Sequence, residues 1–229
     1  MFQSDIVGVA AVYIYVTVLI VFTEKVFSKK YPVQSRKFLH IMTGNIAFIL
    51  PLFQTKEIMA FLAAGPFILF TFLMSPYSPI KSMRGKTSEA GHGLGLVYYA
   101  ITWTVLAYAF FDHREIIAMA ILAMSYGDGL ASLIGIKYGQ RKYTIFKDTK
   151  SYVGSCAMFI FTFLLFLIAL AFYVTYGGTP APSNVVRVLL YFLCMAGIAT
   201  MVEGITPLGL DNLSVPFVTA VMYWAFLVG

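Results

Sequence analysis

Long apolar runs recur along the whole of this 229-residue chain and constrain its fold more than any other feature. A helix needs about 20 predominantly apolar residues, within a range of roughly 17–25, to cross a bilayer. Eight runs qualify, near residues 5–23, 38–54, 57–74, 92–110, 115–136, 151–176, 185–202 and 212–229. Charged residues make up only 11% of the chain, against about 25% in a soluble domain. The sequence therefore predicts an all-α, polytopic membrane protein, a bundle of about eight transmembrane helices.

The runs follow one another closely, so residues 1–229 are predicted to form a single membrane domain. The first run has no basic segment before it and no small-residue cleavage site after it. We therefore predict a first transmembrane helix that is retained, and not a removable signal peptide. Cys156 and Cys194 both lie inside apolar runs, where a small buried side chain is the ordinary interpretation.

Basic residues are concentrated in alternate loops between the runs. All but three of the 16 lysines and arginines fall in the loops after the first, third and fifth runs; the exceptions are Lys56, Arg114 and Arg187. Cytoplasmic loops of membrane proteins carry such an excess. These three loops are therefore predicted to be cytoplasmic, and both termini to lie on the outer side. The net charge of +6 reflects this topology, and no nucleic-acid partner is expected.

Other polar residues gather at the same predicted face, although the orientation was derived from lysine and arginine alone. They are His40, Glu89, His92, Asp148, Glu203, Asp211 and Asn212, and Asp128 lies inside the fifth run near its cytoplasmic end. An ionisable residue within a membrane span is costly and indicates a functional site. The active site is therefore predicted to face the cytoplasm, where a soluble substrate meets a lipid.

Two short clusters supply histidines and cations. Arg36 and His40 are four residues apart and share one helical face. Snorkelling at the interface is the competing interpretation for Arg36 and Lys37. Residues 86–95 place glycines around His92, which suits a loop that approaches a ligand closely. An ordinary loop is an equally good interpretation of that second cluster, because the third glycine of a dinucleotide fingerprint is missing.

The most informative cluster surrounds Asp128. Gly127 and Gly129 flank this aspartate and are predicted to loosen the helix, which would expose backbone groups beside the carboxylate. Gly127, Ala131, Gly135 and Gly139 follow one another at four-residue spacing, the pattern of a helix-packing face. Packing accounts for the glycines, but it does not account for a buried aspartate between two of them. A divalent cation would offset the charge of that carboxylate.

Lys150 and Ser151 stand at the predicted start of the sixth helix, with Asp148 or Thr149 as its N-cap. A helix N-terminus that carries a lysine and a hydroxyl favours phosphate binding. The surrounding residues do not have the spacing of a Walker A loop. The cluster therefore predicts a phosphate site without that motif.

Residues 203–212 join the last two runs and contain acids and an amide but no lysine or arginine. A plain N-cap of the last helix is the competing interpretation of Asp211. Carboxylate and amide oxygens suit Mg²⁺, whereas zinc is not expected, because neither cysteine lies near a histidine at ligand spacing. The candidate metal ligands are Asp128, Glu203, Asp211 and Asn212, and the candidate nucleotide- or phosphate-binding residues are Arg36, Lys37, Lys86, His92, Lys137, Arg141, Lys150 and Ser151.

In this order the clusters resemble the CTP-dependent polyprenol kinase family, which includes dolichol kinase, phytol kinase and a fungal diacylglycerol kinase. The matching pieces are Arg36-Lys37…His40, Gly127-Asp128-Gly129…Ala131…Gly135…Gly139, Lys150-Ser151…Gly154-Ser155 and Glu203…Asp211-Asn212-Leu213…Pro216. The resemblance implies transfer of the γ-phosphate of CTP to the hydroxyl of a membrane isoprenoid or acylglycerol alcohol. The chain looks like the compact microbial or plastid-type members. The implied location is the cell membrane of a microbe, or the endoplasmic reticulum or plastid membrane of a eukaryote.

The resemblance also implies roles for the candidate residues. Mg²⁺ is expected to bridge the β- and γ-phosphates, held by Asp128 with Asp211 or Glu203. Lys150 and Arg36 are expected to neutralise charge on the transferred group. The general base is either a carboxylate of this set or His40, so the expected catalytic residues are Asp128, His40 and Asp211.

Two other functions use the same residues. A cytidylyltransferase that makes a CDP-lipid from a lipid phosphate needs similar metal and phosphate sites, and its acceptor is a phosphate monoester instead of an alcohol. A transporter would use Asp128 as its coupling site, but transporter sites usually lie near the midplane between repeated halves. Here the polar residues lie at one face and no repeat is evident, so the kinase is the preferred interpretation.

Overall fold

The computed structural model describes residues 2–27, 31–84, 93–145 and 148–225. Within these ranges the chain is helical apart from one two-stranded hairpin, which confirms the all-α prediction. The helices are α1 (Phe2–Phe22), α2 (Pro32–Thr43), α3 (Pro66–Met74), α4 (Gly95–Ala109), α5 (Arg114–Leu122), α6 (Gly129–Tyr138), α7 (Tyr152–Tyr176), α8 (Val185–Ile205) and α9 (Asp211–Tyr223). Strands β1 (Lys142–Ile145) and β2 (Asp148–Ser151) pair antiparallel.

Wider and tighter turns extend or join these helices. The π-helical turns are Thr23–Phe27 after α1, Ile58–Ala64 before α3 and Ala123–Asp128 between α5 and α6, and the 3₁₀ turns are Gly44–Phe48, Leu50–Leu52 and Lys81–Met83. Single π turns inside helices are rare and frequently mark functional sites. The turn between α5 and α6 ends on Asp128, at the place where the flanking glycines predict a loosened helix.

Four helical stretches are long and apolar enough to cross a membrane: Gln3–Phe27, Arg114–Tyr138, Tyr152–Tyr176 and Val185–Ile205. Two shorter apolar stretches, Ile58–Met74 and Gly95–Ala109, lie among them. Length and composition therefore confirm four of the eight predicted spans.

The core is centred on α5. Residues 116–123 of this helix and the turn that follows are completely buried and entirely apolar. A helix that is apolar all round belongs at the centre of a bundle, and α7, α9 and the 3₁₀ turn Gly44–Phe48 pack around this one. α1 lies at the periphery, where much of its apolar surface faces outward.

The small-residue stripe packs α6 against α7, which confirms the packing interpretation of its glycines. A Cβ atom on Gly135 would lie 2.7 Å from Ser151 Oγ, and one on Gly154 would lie 2.9 Å from the carbonyl oxygen of Ala131. Both distances are too short for a real Cβ contact, so the two backbones approach as closely as they do only because these positions are glycine.

The hairpin was not predicted, and the prediction that Asp148 or Thr149 caps α7 is wrong. β2 runs through to Ser151, whose Oγ accepts a hydrogen bond from the Gly154 amide at 3.1 Å and so caps the helix. Tyr143 of β1 pairs with Lys150 of β2. Strand pairing keeps residues 148–151 extended. The helix therefore begins later, and its N-cap is Ser151, two or three residues after the predicted positions.

Candidate functional site

A polar cavity of about 320 Å³ lies where α2, α6, α8, α9 and the hairpin meet, a volume within the usual range for small-molecule sites. Its lining residues are Arg36, Lys37, His40, Gly95, Leu96, Asp128, Ala131, Ser132, Gly135, Lys142, Asp148, Thr149, Lys150, Ser151, Gly154, Ser155, Glu203, Gly209, Asp211 and Asn212. Residues far apart in the chain therefore contribute to a single site.

Three carboxylates converge in this cavity. Asp128, Glu203 and Asp211 each offer an oxygen, and these oxygens all lie within 4.8 Å of one another. They come from the π turn, the end of α8 and the first residue of α9. Like charges that are buried this close together repel strongly unless a cation compensates them. Oxygen ligands in this arrangement fit a divalent cation such as Mg²⁺.

Two lysines are paired with these acids. Lys37 Nζ lies 3.1 Å from Asp128 Oδ2, and Lys150 Nζ lies 2.5 Å from Glu203 Oε1. Lys150 also donates to the backbone carbonyl of Glu203. Burial acts to lower the pKa of Lys150, but the neighbouring carboxylates, Glu203 foremost, raise it above its ordinary value. Lys150 is therefore a cation held inside the cavity.

Asp211 lies just before the predicted span 212–229. Burial, followed by the charge of Asp128, raises the pKa of Asp211 to about 7. The residue before it, Leu210, occupies the N-cap position of α9, and Asp211 Oδ1 accepts a hydrogen bond from the first-turn amide of Asn212 at 2.9 Å. The Asp211 carboxylate therefore satisfies a first-turn amide of α9, as the N-cap interpretation expects, and it also lines the cavity.

His40 borders the carboxylate cluster. Its Nε2 lies 3.1 Å from the carbonyl oxygen of Met124 and 3.6 Å from Asp128 Oδ2. Because a carbonyl oxygen only accepts hydrogen bonds, the contact with Met124 requires the tautomer that carries hydrogen on Nε2. The ring also packs edge-on against Tyr99, with centroids 5.1 Å apart. His40 is therefore held in one orientation by the π turn and α4.

Asn212 lines the cavity and carries a buried, unsatisfied side-chain oxygen. Its Nδ2 donates to the Gly95 carbonyl at 3.2 Å, and its own backbone carbonyl accepts from Thr102 Oγ1 at 2.7 Å. The side-chain Oδ1 is buried and has no hydrogen-bond partner in the described part of the chain. A buried acceptor left in this state costs about 1–3 kcal/mol. A cation or a ligand donor would satisfy it, so the amide fits the same site as the acids.

The hairpin completes one wall of the cavity through Lys142 and Thr149, neither of which the sequence predicts to be a binding or catalytic residue. Asp148 Oδ2 accepts a hydrogen bond from the Leu208 amide at 2.7 Å and ties the hairpin to the turn before α9. Leu208 has a φ of 61°, in the left-handed region that a Cβ disfavours by about 1–2 kcal/mol. This bond stabilises a strained turn that leads directly to Asp211.

The structure brings most of the sequence-derived candidates together. Arg36, Lys37, His40, Asp128, Lys150, Ser151, Glu203, Asp211 and Asn212 all line the cavity. Lys137 and Arg141 do not. Lys137 follows Gly135 by two residues, about 200° around α6, and its Nζ lies 5.0 Å over the Tyr138 ring. Arg141 is exposed just before β1. Lys86, Glu89 and His92 lie outside the described residues.

Comparison with known proteins gives relatives over most of the chain. It is 30% identical over 221 residues to a phytol kinase of Synechocystis sp., and the aligned region covers 96% of this chain and 90% of the relative. It is 33% identical over 205 residues to a probable chloroplastic phytol kinase of Triticum aestivum (84% of this chain, 66% of the relative). It is 30% identical over 197 residues to the chloroplastic phytol kinase 1 of Arabidopsis thaliana (81% and 64%). No protein-family model and no solved structure matches.

Proposed function

Because this chain belongs to the phytol kinase family, we propose that it transfers the γ-phosphate of CTP to the hydroxyl of a membrane isoprenoid alcohol. The observation that carries the proposal is the cavity in which three converging carboxylates meet four lysine and arginine side chains. Phosphoryl transfer needs positioning and electrostatic stabilisation more than covalent chemistry, and this arrangement provides both. The choice of CTP as donor rests on the family resemblance alone.

We also propose that all eight apolar runs cross the membrane, with the polar cavity at the cytoplasmic end and both termini outside. Asp5, near the N-terminus, accepts hydrogen bonds from the amides of Gln54 and Thr55, so these two regions share one end of the bundle. Lys150 and Glu203 meet at the polar cavity. Alternate loops therefore meet at the same end, as this topology requires. The membrane is that of the cell in a microbe, or the plastid or endoplasmic reticulum in a eukaryote.

The residues at the centre of the cavity fit Mg²⁺. Asp128, Glu203 and Asp211 would hold it, and the unsatisfied Oδ1 of Asn212 would offer a further oxygen ligand. When bound, the ion would neutralise charge on the β- and γ-phosphates.

The cations of the cavity are placed to bind the triphosphate. Lys37 and Lys150 reach into the cavity beside the acids, and Arg36 lines the same wall. Ser151 and the first turn of α7 add a hydroxyl and a helix N-terminus, which favours anions. These groups hold the γ-phosphoryl group in one position and neutralise the charge that develops as it is transferred.

In the proposed reaction the alcohol oxygen attacks the γ-phosphorus, the bond to the β–γ bridging oxygen breaks, and CDP leaves. The hydroxyl proton passes to a carboxylate of the cluster. A carboxylate of the cluster is a better base than His40, because His40 Nε2 already carries hydrogen and donates it to the Met124 carbonyl. His40 borders the place proposed for the acceptor hydroxyl, since its Nε2 lies 3.6 Å from Asp128 Oδ2.

The proposal is tested with purified protein in detergent, Mg²⁺ and CTP labelled at the γ-phosphate. Phytol, geranylgeraniol, a long polyprenol, diacylglycerol and phosphatidate are offered in parallel, with labelled ATP as the control donor. Label that appears in a lipid monophosphate made from a free alcohol supports the kinase. Unlabelled alcohols together with labelled pyrophosphate released in the presence of phosphatidate would establish a cytidylyltransferase instead.

A further inference from the structure

A second cavity, almost entirely apolar, lies directly beside the polar one. The two share His40 and Leu96, so these side chains stand at the boundary between them. The walls of the apolar cavity come from α1, α2 with its 3₁₀ extension, residues 58–74 and α4. Its lining residues are Val12, Val16, Ile20, Leu39, His40, Thr43, Ile46, Leu50, Phe53, Met59, Ala63, Ala64, Phe67, Thr71, Met74, Leu96, Tyr99, Ala100, Trp103 and Ala107.

The hydroxyl groups along these walls are already hydrogen-bonded within the protein. Thr43 Oγ1 donates to a carbonyl of its own helix at 2.7 Å, and Thr71 Oγ1 does the same at 2.6 Å. The Tyr99 hydroxyl is paired with Ser125 Oγ at 2.8 Å. A ligand inside the cavity therefore meets mainly hydrocarbon surface, apart from the indole N–H of Trp103, which is unpartnered among the described residues. At one end it reaches His40, beside Asp128.

The dimensions of the cavity suit one hydrocarbon chain. Leu96 and Ala107 line it at opposite ends of α4, and at 1.5 Å per residue they are about 16 Å apart along the helix. That is roughly one leaflet of a bilayer whose hydrocarbon core is about 30 Å thick. The open volume is about 80 Å³, so an incoming chain must displace flexible wall residues such as Met59 and Met74.

The cavity also reaches the lipid-facing surface. Ile20 on α1 and Phe67 and Thr71 on α3 line it and are only partly buried. These partly buried residues mark the side between α1 and α3 as the place where we expect a lipid to enter without passing through water. This path leads to the same histidine that borders the phosphate-binding cavity.

We propose that the apolar cavity binds the chain of a single-chain isoprenoid alcohol about one leaflet long, with its hydroxyl at His40 and its far end near Ala107. This inference rests on the proposed kinase function and narrows its acceptor. A two-chain lipid overfills the cavity, and a long polyprenol must leave most of its chain outside. Phytol and geranylgeraniol are the acceptors that match the length of the cavity.

The test uses acceptors of rising length, namely geraniol, farnesol, geranylgeraniol and phytol, with wild-type protein and two cavity-filling variants. Ala107→Phe fills the far end and should lower kcat/KM for phytol and geranylgeraniol by about tenfold or more, because overfilling a packed site is unfavourable. Most of the activity on geraniol should remain, which also shows that the variant is folded. Ala100→Phe, nearer His40, should extend the loss to farnesol.

Ala171→Phe is the matched control, since Ala171 is exposed on α7, away from this cavity, and the activity on all four alcohols should stay as in the wild type. A wild-type protein that phosphorylates no alcohol would refute the kinase function itself. Active variants that keep the wild-type chain-length profile would overturn only the cavity assignment.

A second measurement does not depend on turnover or on the variants. A geranylgeraniol analogue with a diazirine near the chain end is cross-linked by light to wild-type protein. Labelled peptides from α1, α4 and residues 58–74, suppressed by excess phytol, would support the site. Labelling confined to other helices would overturn it.

Discussion

Replacing Lys150 by alanine is expected to raise sharply the CTP concentration needed for half-maximal activity. The Lys150 ammonium lies 2.5 Å from Glu203 Oε1, and its side chain is only 17% exposed. A hydrogen bond to a charged group is worth about 1.5–3 kcal/mol, and each 1.4 kcal/mol corresponds to about a tenfold change. We therefore expect kcat/KM for CTP to fall by about 10- to 100-fold.

The same substitution leaves the buried carboxylate of Glu203 without its partner. Removing one member of a buried ion pair destabilises a protein by about 3–5 kcal/mol, so thermal unfolding must be measured beside activity. The double variant Lys150→Met with Glu203→Gln removes both charges and should recover thermal stability without recovering CTP affinity. Recovery of both together would show that Lys150 serves only the fold.

The assay measures initial rates with γ-labelled CTP, fixed Mg²⁺ and geranylgeraniol in detergent micelles. Lys137→Ala is the matched control, because that ammonium lies over the Tyr138 ring and outside the cavity. An unchanged CTP titration in Lys150→Ala, or an equal shift in Lys137→Ala, would refute the phosphate-binding role of Lys150.

Three further predictions concern the carboxylates and the packing of α6. Asp128→Asn should abolish turnover while the protein still elutes as a folded species in detergent; full activity in this variant would remove Asp128 from the mechanism. Chelation of divalent cations should stop the reaction and added Mg²⁺ should restore it, whereas undiminished turnover in excess chelator would refute the metal site. Gly135→Ala should lower the melting temperature, because the new Cβ lies 2.7 Å from Ser151 Oγ and overpacking costs about 1–3 kcal/mol. Gly197→Ala, whose new Cβ meets only Phe159 at 3.9 Å, is its control, and equal melting temperatures would contradict the packing argument.

The sequence is informative about depth in the membrane and much less so about direction around a helix axis. The ends of the apolar runs and the basic loops place Asp128, Lys150 and Glu203 at one level, and the structure brings these three into one cavity. The same reasoning placed Lys137 there, but this lysine lies on the opposite face of α6 from Gly135. The direction of a side chain around the helix axis depends on which helices pack against each other. The hydrophobic periodicity that would predict it is weak where a helix is apolar on nearly every side.

The hairpin shows a second limit of sequence reasoning. Lys142-Tyr143-Thr144-Ile145 alternates polar and apolar side chains, a weak strand signal that four residues inside a loop of a helical protein cannot establish. A two-stranded hairpin is only marginally stable alone, so its formation depends on tertiary bonds. Asp148 to Leu208 and Lys150 to Glu203 are such bonds, and they join residues 60 and 53 positions apart in the chain.

Acids and lysines are paired with each other in the polar cavity. This pairing couples the binding of the divalent cation to the binding of the triphosphate. Asp128 is paired with Lys37 and Glu203 with Lys150. When a phosphate binds one of these lysines, the carboxylate that was paired with it stays buried without a counter-charge. Two such carboxylates within 4.8 Å of each other are destabilised by several kcal/mol unless another cation takes the place of the lysines. Nucleotide alone and divalent cation alone should therefore each bind weakly, and together they should bind much more tightly. Separate acidic and basic patches would bind each component independently, which is why the pairing itself favours a metal–triphosphate ligand.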